Sequence, residues 1–282
     1  MLGQDLVRAL AAAGDPVTAA ARRDLDVTDA AAVRAAVGAA RPDVVVNCAA
    51  WTAVDAAEDQ EAAALAVNGR GAQNFSAACL SAGARLVQLS TDYVFGGAAT
   101  APYGEDAATA PRSAYGRTKL AAERAVLGGL PDAGYVLRTA WLYGAAGPNF
   151  VATMIRCERD RPAVDVVDDQ HGQPTWTADV AGQIIVLIRR DAAPGVYHAT
   201  SSGQTTWCGL AREVFALLGA DPGRVRAVPS GAVSRPAPRP AYSVLGHDRW
   251  AAAGIEPIGD WRRSLRAALP ELSAAVSSAA VS

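Results

Sequence analysis

The chain has 282 residues, enough for one large α/β domain or two smaller ones, and 51% of them are hydrophobic against 19% charged, so a sizeable core can form. A formal charge of −2 with no basic run gives nucleic acid no electrostatic footprint, and no apolar stretch approaches the ~20 residues of a membrane span. Four scattered cysteines (Cys48, Cys79, Cys157, Cys208) without a CxxC, and three separated histidines (His171, His198, His247), predict free thiols in a reducing cytoplasm and no metal site.

Positions 1–20 lack a basic segment followed by an unbroken apolar core, so no signal peptide is read. Leu2, Leu6, Val7 and Leu10 share one helical face, and Gly14 closes that helix. Pro16 to Ala20 reads as a short strand. Thr28 or Asp29 can cap a helix running to about Ala40. Asp43-Val44-Val45-Val46-Asn47 is a β-branched buried strand. A helix is expected from Ala62 to Ala82, stopped by Gly83, and then a strand over Leu86–Ser90. Gly96 to Pro111 is a loop, Ser113 caps a helix to about Leu127, and Tyr135–Arg138 is another strand. Strands alternating with Ala-rich helices predict an α/β fold, a Rossmann-like doubly wound parallel sheet. From about Leu142 the alternation loosens into a smaller C-terminal region laid over the sheet edge, with Ile184–Ile188 and Val196–Ala199 rejoining the first domain. Ser273 to Ser282 are small and polar enough to fray.

Three features fall where open α/β sheets bind ligands, at the carboxyl ends of strands. Ala49-Ala50-Trp51-Thr52 begins with small residues that let a flat cofactor approach the backbone. Ser90-Thr91 puts two hydroxyls at a strand tip, where each can bond a substrate carbonyl or close a local turn. The third is Tyr115-Gly116-Arg117-Thr118-Lys119. Lys119 is the one lysine among 26 basic residues. A lysine is a compact point charge on a flexible stem, which the planar arginine fork cannot imitate. On a helix it shares a face with Tyr115. An ammonium there is expected to lower the phenol's pKa and make it a general acid–base group.

These residues carry a family resemblance. Arg41-Pro42-Asp43-Val44-Val45-Val46-Asn47, Thr52-Ala53-Val54-Asp55-Ala56-Ala57-Glu58, Ser90-Thr91-Asp92-Tyr93-Val94-Phe95, Tyr115-x-x-x-Lys119, Arg138-Thr139-Ala140-Trp141, Asn149-Phe150, Asp169-Gln170-x-Gly172 and Arg239-Pro240 resemble extended short-chain dehydrogenases/reductases. Among these the chain is most similar to the dTDP-4-dehydrorhamnose reductase family. The resemblance implies a catalytic Thr91, Tyr115 and Lys119, with hydride passing to the C4 ketone of a dTDP-sugar substrate. It implies cofactor contacts at Gly3, Asp26, Val27, Ala49, Ala50, Trp51, Thr52, Tyr115 and Lys119. Substrate contacts are implied at Thr91, Asp92, Trp141, Asn149 and Arg239. The implied division is a cofactor domain over 1–144 and 176–199 and a substrate domain over 145–175 and 200–282. A homodimer is permitted. Arg22 and Arg23, with no acid before Asp24, favour NADPH, with NADH as the other coenzyme.

The family pattern opens with a strand and a G-x-x-G-x-x-G turn, of which only Gly3 is present here. Roughly ten residues of that βα unit are missing, so Met1 is expected to be an internal start. Two other functions stay open: reduction of a different dTDP-4-keto-6-deoxysugar, such as a dihydrostreptose precursor, and a non-catalytic regulatory subunit of the methionine adenosyltransferase type.

Overall fold

The computed structural model describes residues 1–279. Helices α1 (Leu2–Ala12) and α2 (Ala30–Ala40) precede strand β1 (Val44–Asn47). Short helices α3 (Ala56–Asp59) and α4 (Glu61–Leu65) run through a π-helical turn (Ala66–Arg70) into α5 (Gly71–Ala82), and β2 (Arg85–Thr91) follows. Next come α6 (Ala114–Gly129), β3 (Gly134–Thr139), β4 (Leu142–Tyr143), α7 (Phe150–Asp160), β5 (Val164–Val167), β6 (His171–Gly172) and β7 (Thr175–Trp176). Then α8 (Thr177–Arg189) leads to β8 (Gly195–His198), and the chain ends with β9 (Thr205–Thr206), α9 (Trp207–Leu217), β10 (Val225–Val228), α10 (Asp248–Ala252) and α11 (Trp261–Ala279).

The central sheet has the order β1-β2-β3-β8, all parallel. Its strands are apolar on both faces because both faces are covered. On one side α1 and α8 bury Leu2, Leu6, Ile184 and Leu187 against Val87, Leu89 and Leu137. On the other, α2, α5 and α6 bury Val33, Val37, Phe75 and Val126 against Leu86 and Val136. A separate core is built from α7, β5, α9, β10 and α11, with Met154, Val166, Phe215 and Leu265 at its centre. The C-terminal part does not stay in that second core. Trp250, Ile255 and Ile258 return to the sheet layer, and Trp250 donates its indole N–H to the His198 carbonyl at 2.8 Å.

Three local expectations are corrected. Pro16–Ala20 is extended but unpaired, since no described strand lies along that edge of β1 to give it a ladder. The helix expected over Ala62–Ala82 is interrupted by the π-helical turn, where Gly69 packs so tightly that a Cβ would lie 2.7 Å from Leu65 Cδ1 and 3.3 Å from Ala121 Cβ. The tail does not fray from Ser273: helix α11 continues to Ala279, because Val276 and Leu272 anchor it in the second core. The rest of that tail lies outside the described residues.

Helix α6 is brought against the end of β2 by a missing side chain. A Cβ on Gly116 would sit 2.3 Å from the Tyr93 carbonyl oxygen and 3.0 Å from Pro111 Cβ. Ser113 caps the helix by accepting from the Gly116 amide at 3.1 Å. Gly116→Ala is expected to cost about 1–3 kcal/mol in urea unfolding, the usual penalty of overpacking. Gly128→Ala on the same helix, where a Cβ meets nothing within 4 Å, should be neutral or slightly stabilising.

Candidate active site

The tip of β2 and the first two turns of α6 meet as the sequence pattern required. Lys119 is fully buried, and its ammonium donates to the Leu89 carbonyl at 2.5 Å. That carbonyl also accepts from the Gln88 amide at 2.9 Å. Burial pushes the Lys119 pKa down to about 8, against the opposing pull of Glu123 and Cys48.

Thr91 is buried and its hydroxyl has three neighbours. It donates to Asp92 Oδ1 at 3.1 Å, accepts from the Tyr93 amide at 3.2 Å, and draws the Tyr115 phenol towards the ionised form. The threonine thus closes the local turn, and the same hydroxyl faces the phenol. Ser90, one residue earlier, points the other way and donates to Glu123 Oε1 at 2.5 Å. Its hydroxyl is not at the mouth of the site, because successive strand residues alternate faces.

The expected lowering of the Tyr115 pKa is not what the structure gives. Burial is the largest influence and, with the Asp92 charge, pushes the phenol up to about 12, outweighing Thr91. The Lys119 ammonium is directed to the Leu89 carbonyl. Tyr115 consequently holds its proton at neutral pH. Asp92 is itself pushed up to about 6 by burial, against the pull of the Ser243 and Thr91 hydroxyls, and its Oδ2 is buried with no partner in good hydrogen-bond geometry. Such an orphan acceptor is costly unless a ligand or water meets it.

The loop after β1 lies beside this cluster. Ala49 is exposed and Ala50 half-buried, so little more than backbone is presented there. The loop is held by Asn68, a residue the sequence reading passed over. Asn68 accepts from the Trp51 amide at 2.8 Å, donates to the Trp51 carbonyl at 3.2 Å, and donates to Thr118 Oγ1 at 2.9 Å. The π-helical turn aims this buried amide inward. A polar residue at a buried position of an Ala-rich helix was the available signal. Trp51 itself packs with Tyr115, Ala57 and Ala114. Thr52 is exposed. Gly3, at the start of α1, lies against Cys48, where a Cβ would be 3.5 Å from Cys48 Cβ. Asp26 is exposed and accepts from the Thr28 amide and hydroxyl, while the Val27 carbonyl accepts from Asn74.

The expected substrate contacts separate into three kinds. Trp141, with a positive φ of 47°, stacks on Trp207 with ring centroids 3.6 Å apart, and Trp207 donates to Gln170 at 3.2 Å. Trp207 was also missed; only the fold brings it to Trp141. Asn149 is spent on structure: it caps α7 by accepting from the Ala152 amide, and it donates to the Gly144 and Gly147 carbonyls. Arg239 reaches over from the later part of the chain and is gripped by both oxygens of Asp55, each at 2.9 Å, with its guanidinium 6.0 Å above the Tyr93 ring. Burial pushes Asp55 up, but the Arg239 fork outweighs it and holds the carboxyl below its usual range. No group of three or more His, Cys, Asp or Glu among the described residues is arranged to hold a metal.

Comparison with known proteins gives a consistent result. Residues 1–274 match the family model described as the RmlD substrate binding domain. A Streptomyces griseus protein named dTDP-4-dehydrorhamnose reductase is 58% identical over 276 residues, covering 96% of this chain and 91% of the relative. A Streptomyces niveus protein named dTDP-4-keto-6-deoxy-D-glucose reductase is 56% identical, over 97% of this chain and 95% of the relative. The crystal structure of a Bacillus anthracis dTDP-4-dehydrorhamnose reductase in complex with NADP superposes with a TM-score of 0.92 at 34% identity, covering 96% of this chain and 95% of that one.

The buried ammonium predicts a pH signature in stability. The folded state holds the Lys119 proton less tightly than the unfolded chain does, so the penalty is fully present below about pH 8 and fades as the pH rises towards the unfolded value near 10.5. Lys119→Met should therefore unfold at a higher temperature than the parent at pH 7, by a gain on the order of 1–3 kcal/mol. The Leu89 carbonyl remains satisfied by Gln88. The gain should narrow through pH 8 to 10.5; a variant less stable at pH 7 would contradict this sign.

Proposed function

Because the chain belongs to the RmlD substrate-binding-domain family, we propose that it reduces the C4 ketone of dTDP-4-dehydrorhamnose with NADPH, giving dTDP-L-rhamnose. It is an NAD(P)-dependent oxidoreductase of nucleotide sugars. The observation that carries the residue-level reading is the grouping of buried Thr91 and Lys119 with half-buried Tyr115 at the end of β2.

The residues around that grouping fit a dinucleotide and a sugar. Ala49 and Ala50 leave the backbone after β1 open to a flat ring, and Asn68 fixes Trp51 behind them. Gly3, Asp26, Val27 and Thr52 are assigned to the dinucleotide, and the exposed Arg22 and Arg23 to a 2′-phosphate. NADPH, when bound, supplies the hydride to C4. Thr91, turning its hydroxyl proton away from Asp92 Oδ1, donates a hydrogen bond to the ketone oxygen, and Tyr115 gives its proton to that oxygen as negative charge develops there. A phenol pushed up to about 12 is fully protonated at neutral pH, which is the state the reducing direction requires. Lys119 adds a compact positive charge in a dry site, where it acts over a longer range than in water. The orphan Asp92 Oδ2 accepts from a sugar hydroxyl, and the Trp141–Trp207 stack offers an apolar wall to a deoxysugar ring. Arg239 is assigned to the diphosphate, for which its fork must exchange Asp55 for phosphate oxygens.

The separate cores support residues 1–144 and 176–199 as the cofactor part and 145–175 and 200–282 as the sugar part, with α10 tying the two together. The four free cysteines suit a reducing compartment, and we assign the cytoplasm on that ground.

A second reading keeps the chemistry and changes the sugar, and the Streptomyces niveus relative favours it. NADPH oxidation with dTDP-4-dehydrorhamnose, followed by NMR of the product, separates the two. Stoichiometric dTDP-L-rhamnose is expected. Turnover of another dTDP-4-keto-6-deoxysugar but not this one would replace the first reading by the second. In either case Tyr115→Phe should lower kcat by about 10²–10⁴-fold with KM little changed.

A further inference from the structure

Beneath the site lies a polar cluster that the reaction as described does not use. Glu123 stands one helical turn after Lys119 on the same face of α6. Its Oε1 accepts from the Ser90 hydroxyl at 2.5 Å and from Arg138 Nε at 3.0 Å, and its Oε2 accepts from Arg138 Nη2 at 2.8 Å. Glu123, Arg138, Ser90 and Lys119 are each no more than 4% exposed. Arg138 is held in turn by the Glu105 carbonyl at 3.0 Å and by the ring of Phe95, 4.9 Å from its guanidinium carbon. His198 stands 3.4 Å from Arg138 Nη1, and burial with the arginine's charge pushes it down to about 3, so it is neutral.

A buried ion pair is an expensive way to stabilise a fold, since desolvation offsets most of the attraction. Its position suggests a different use. Ser90 sits between Leu89, whose carbonyl receives Lys119, and Thr91. The Thr139 hydroxyl donates to the Ser90 carbonyl at 3.2 Å from the neighbouring strand.

We propose that Glu123 is a positioning residue: clamped by Arg138, it anchors Ser90 on the strand tip that carries Thr91 and the Leu89 carbonyl, and it is the anion that keeps the buried Lys119 charged. The groups around Lys119 support this assignment. Its own helix puts Glu123 one turn after it and Tyr115 one turn before it on the same face, and the Glu123 charge acts on it. From the loop after β1 it meets Cys48, whose thiol burial pushes up to about 11 and so keeps neutral. From β2 it meets only the uncharged Leu89 carbonyl, and the charge on β3 is Arg138, which stands behind Glu123. Among the described residues, Glu123 is thus the carboxylate that acts on the ammonium.

The inference rests on the proposed reductase reading, yet it can be tested apart from it. The sequence holds a single lysine, so the full chain grown on lysine labelled with ¹³C at Cε gives one lysine Cε signal, which titrates with Lys119. The parent midpoint should fall near pH 8. Glu123→Gln should lower it by about half a pH unit or more, and the alkaline limb of the kcat–pH profile should move down with it. Glu123→Asp, which keeps a carboxylate for Arg138, should give a midpoint between the two and remains the test if the Gln variant does not fold. Ser90→Ala should leave the midpoint in place while lowering kcat several-fold. Midpoints unchanged in both Glu123 variants would overturn the charge role, and parent-like kcat in Ser90→Ala would overturn the anchoring role. A parent that does not reduce the keto sugar would count against the proposed function alone, because the lysine signal is read without turnover.

Discussion

A single ammonium held in a dry interior sets the terms for this protein. Burying a charge without a counterpart is among the costliest events in folding. Lys119 is nevertheless buried at the tip of β2, with one carbonyl as its direct partner. The surroundings are arranged around that cost. The glycine at position 116 lets α6 come close enough to seat the side chain, and Gln88 shares the receiving carbonyl. The Glu123–Arg138 pair lies one turn below. Each of these features is weak evidence for stability and good evidence for a site in which one cation must be present and fixed.

The same arrangement explains the division of labour between the phenol and the amine. A phenol in contact with a free ammonium would be pulled towards phenolate, the form suited to removing a proton. Here burial and the Asp92 charge keep Tyr115 protonated while the ammonium is occupied elsewhere. The resting site is therefore set for donation. Trp141 and Trp207 stack on each other against the second core, and Asp55 holds Arg239 over the Tyr93 ring.

Much of this was legible in the sequence because it depends on local rules. The β-branched run Val44–Val46, the Ser113 cap and the i, i+4 spacing of Tyr115 and Lys119 all follow from periodicity and side-chain chemistry, and each lies where the pattern put it. What was not legible depends on long-range partners. Pro16–Ala20 has strand-forming composition but no neighbour to pair with. Asn68 and Trp207 acquire meaning only through Trp51 and Trp141, which are distant in the chain. The direction of the Tyr115 shift could not be read from a lysine four residues on, because desolvation is a property of the packed site and outweighed the charge. Asn149 and Arg239 matched a motif by type, yet the fold gives the first to a helix cap and pairs the second with Asp55.

The proposed reaction turns on a compact ammonium at position 119, not merely on a positive charge. The direct measurement is single-turnover reduction by Lys119→Arg, on protein whose near-ultraviolet circular dichroism matches the parent. The planar guanidinium keeps the charge but cannot occupy the ammonium's place against the Leu89 carbonyl. A loss of about a hundredfold or more in the chemical step is expected, the range of one electrostatic contact in a dry site. Parent-like turnover by a folded Lys119→Arg would contradict it.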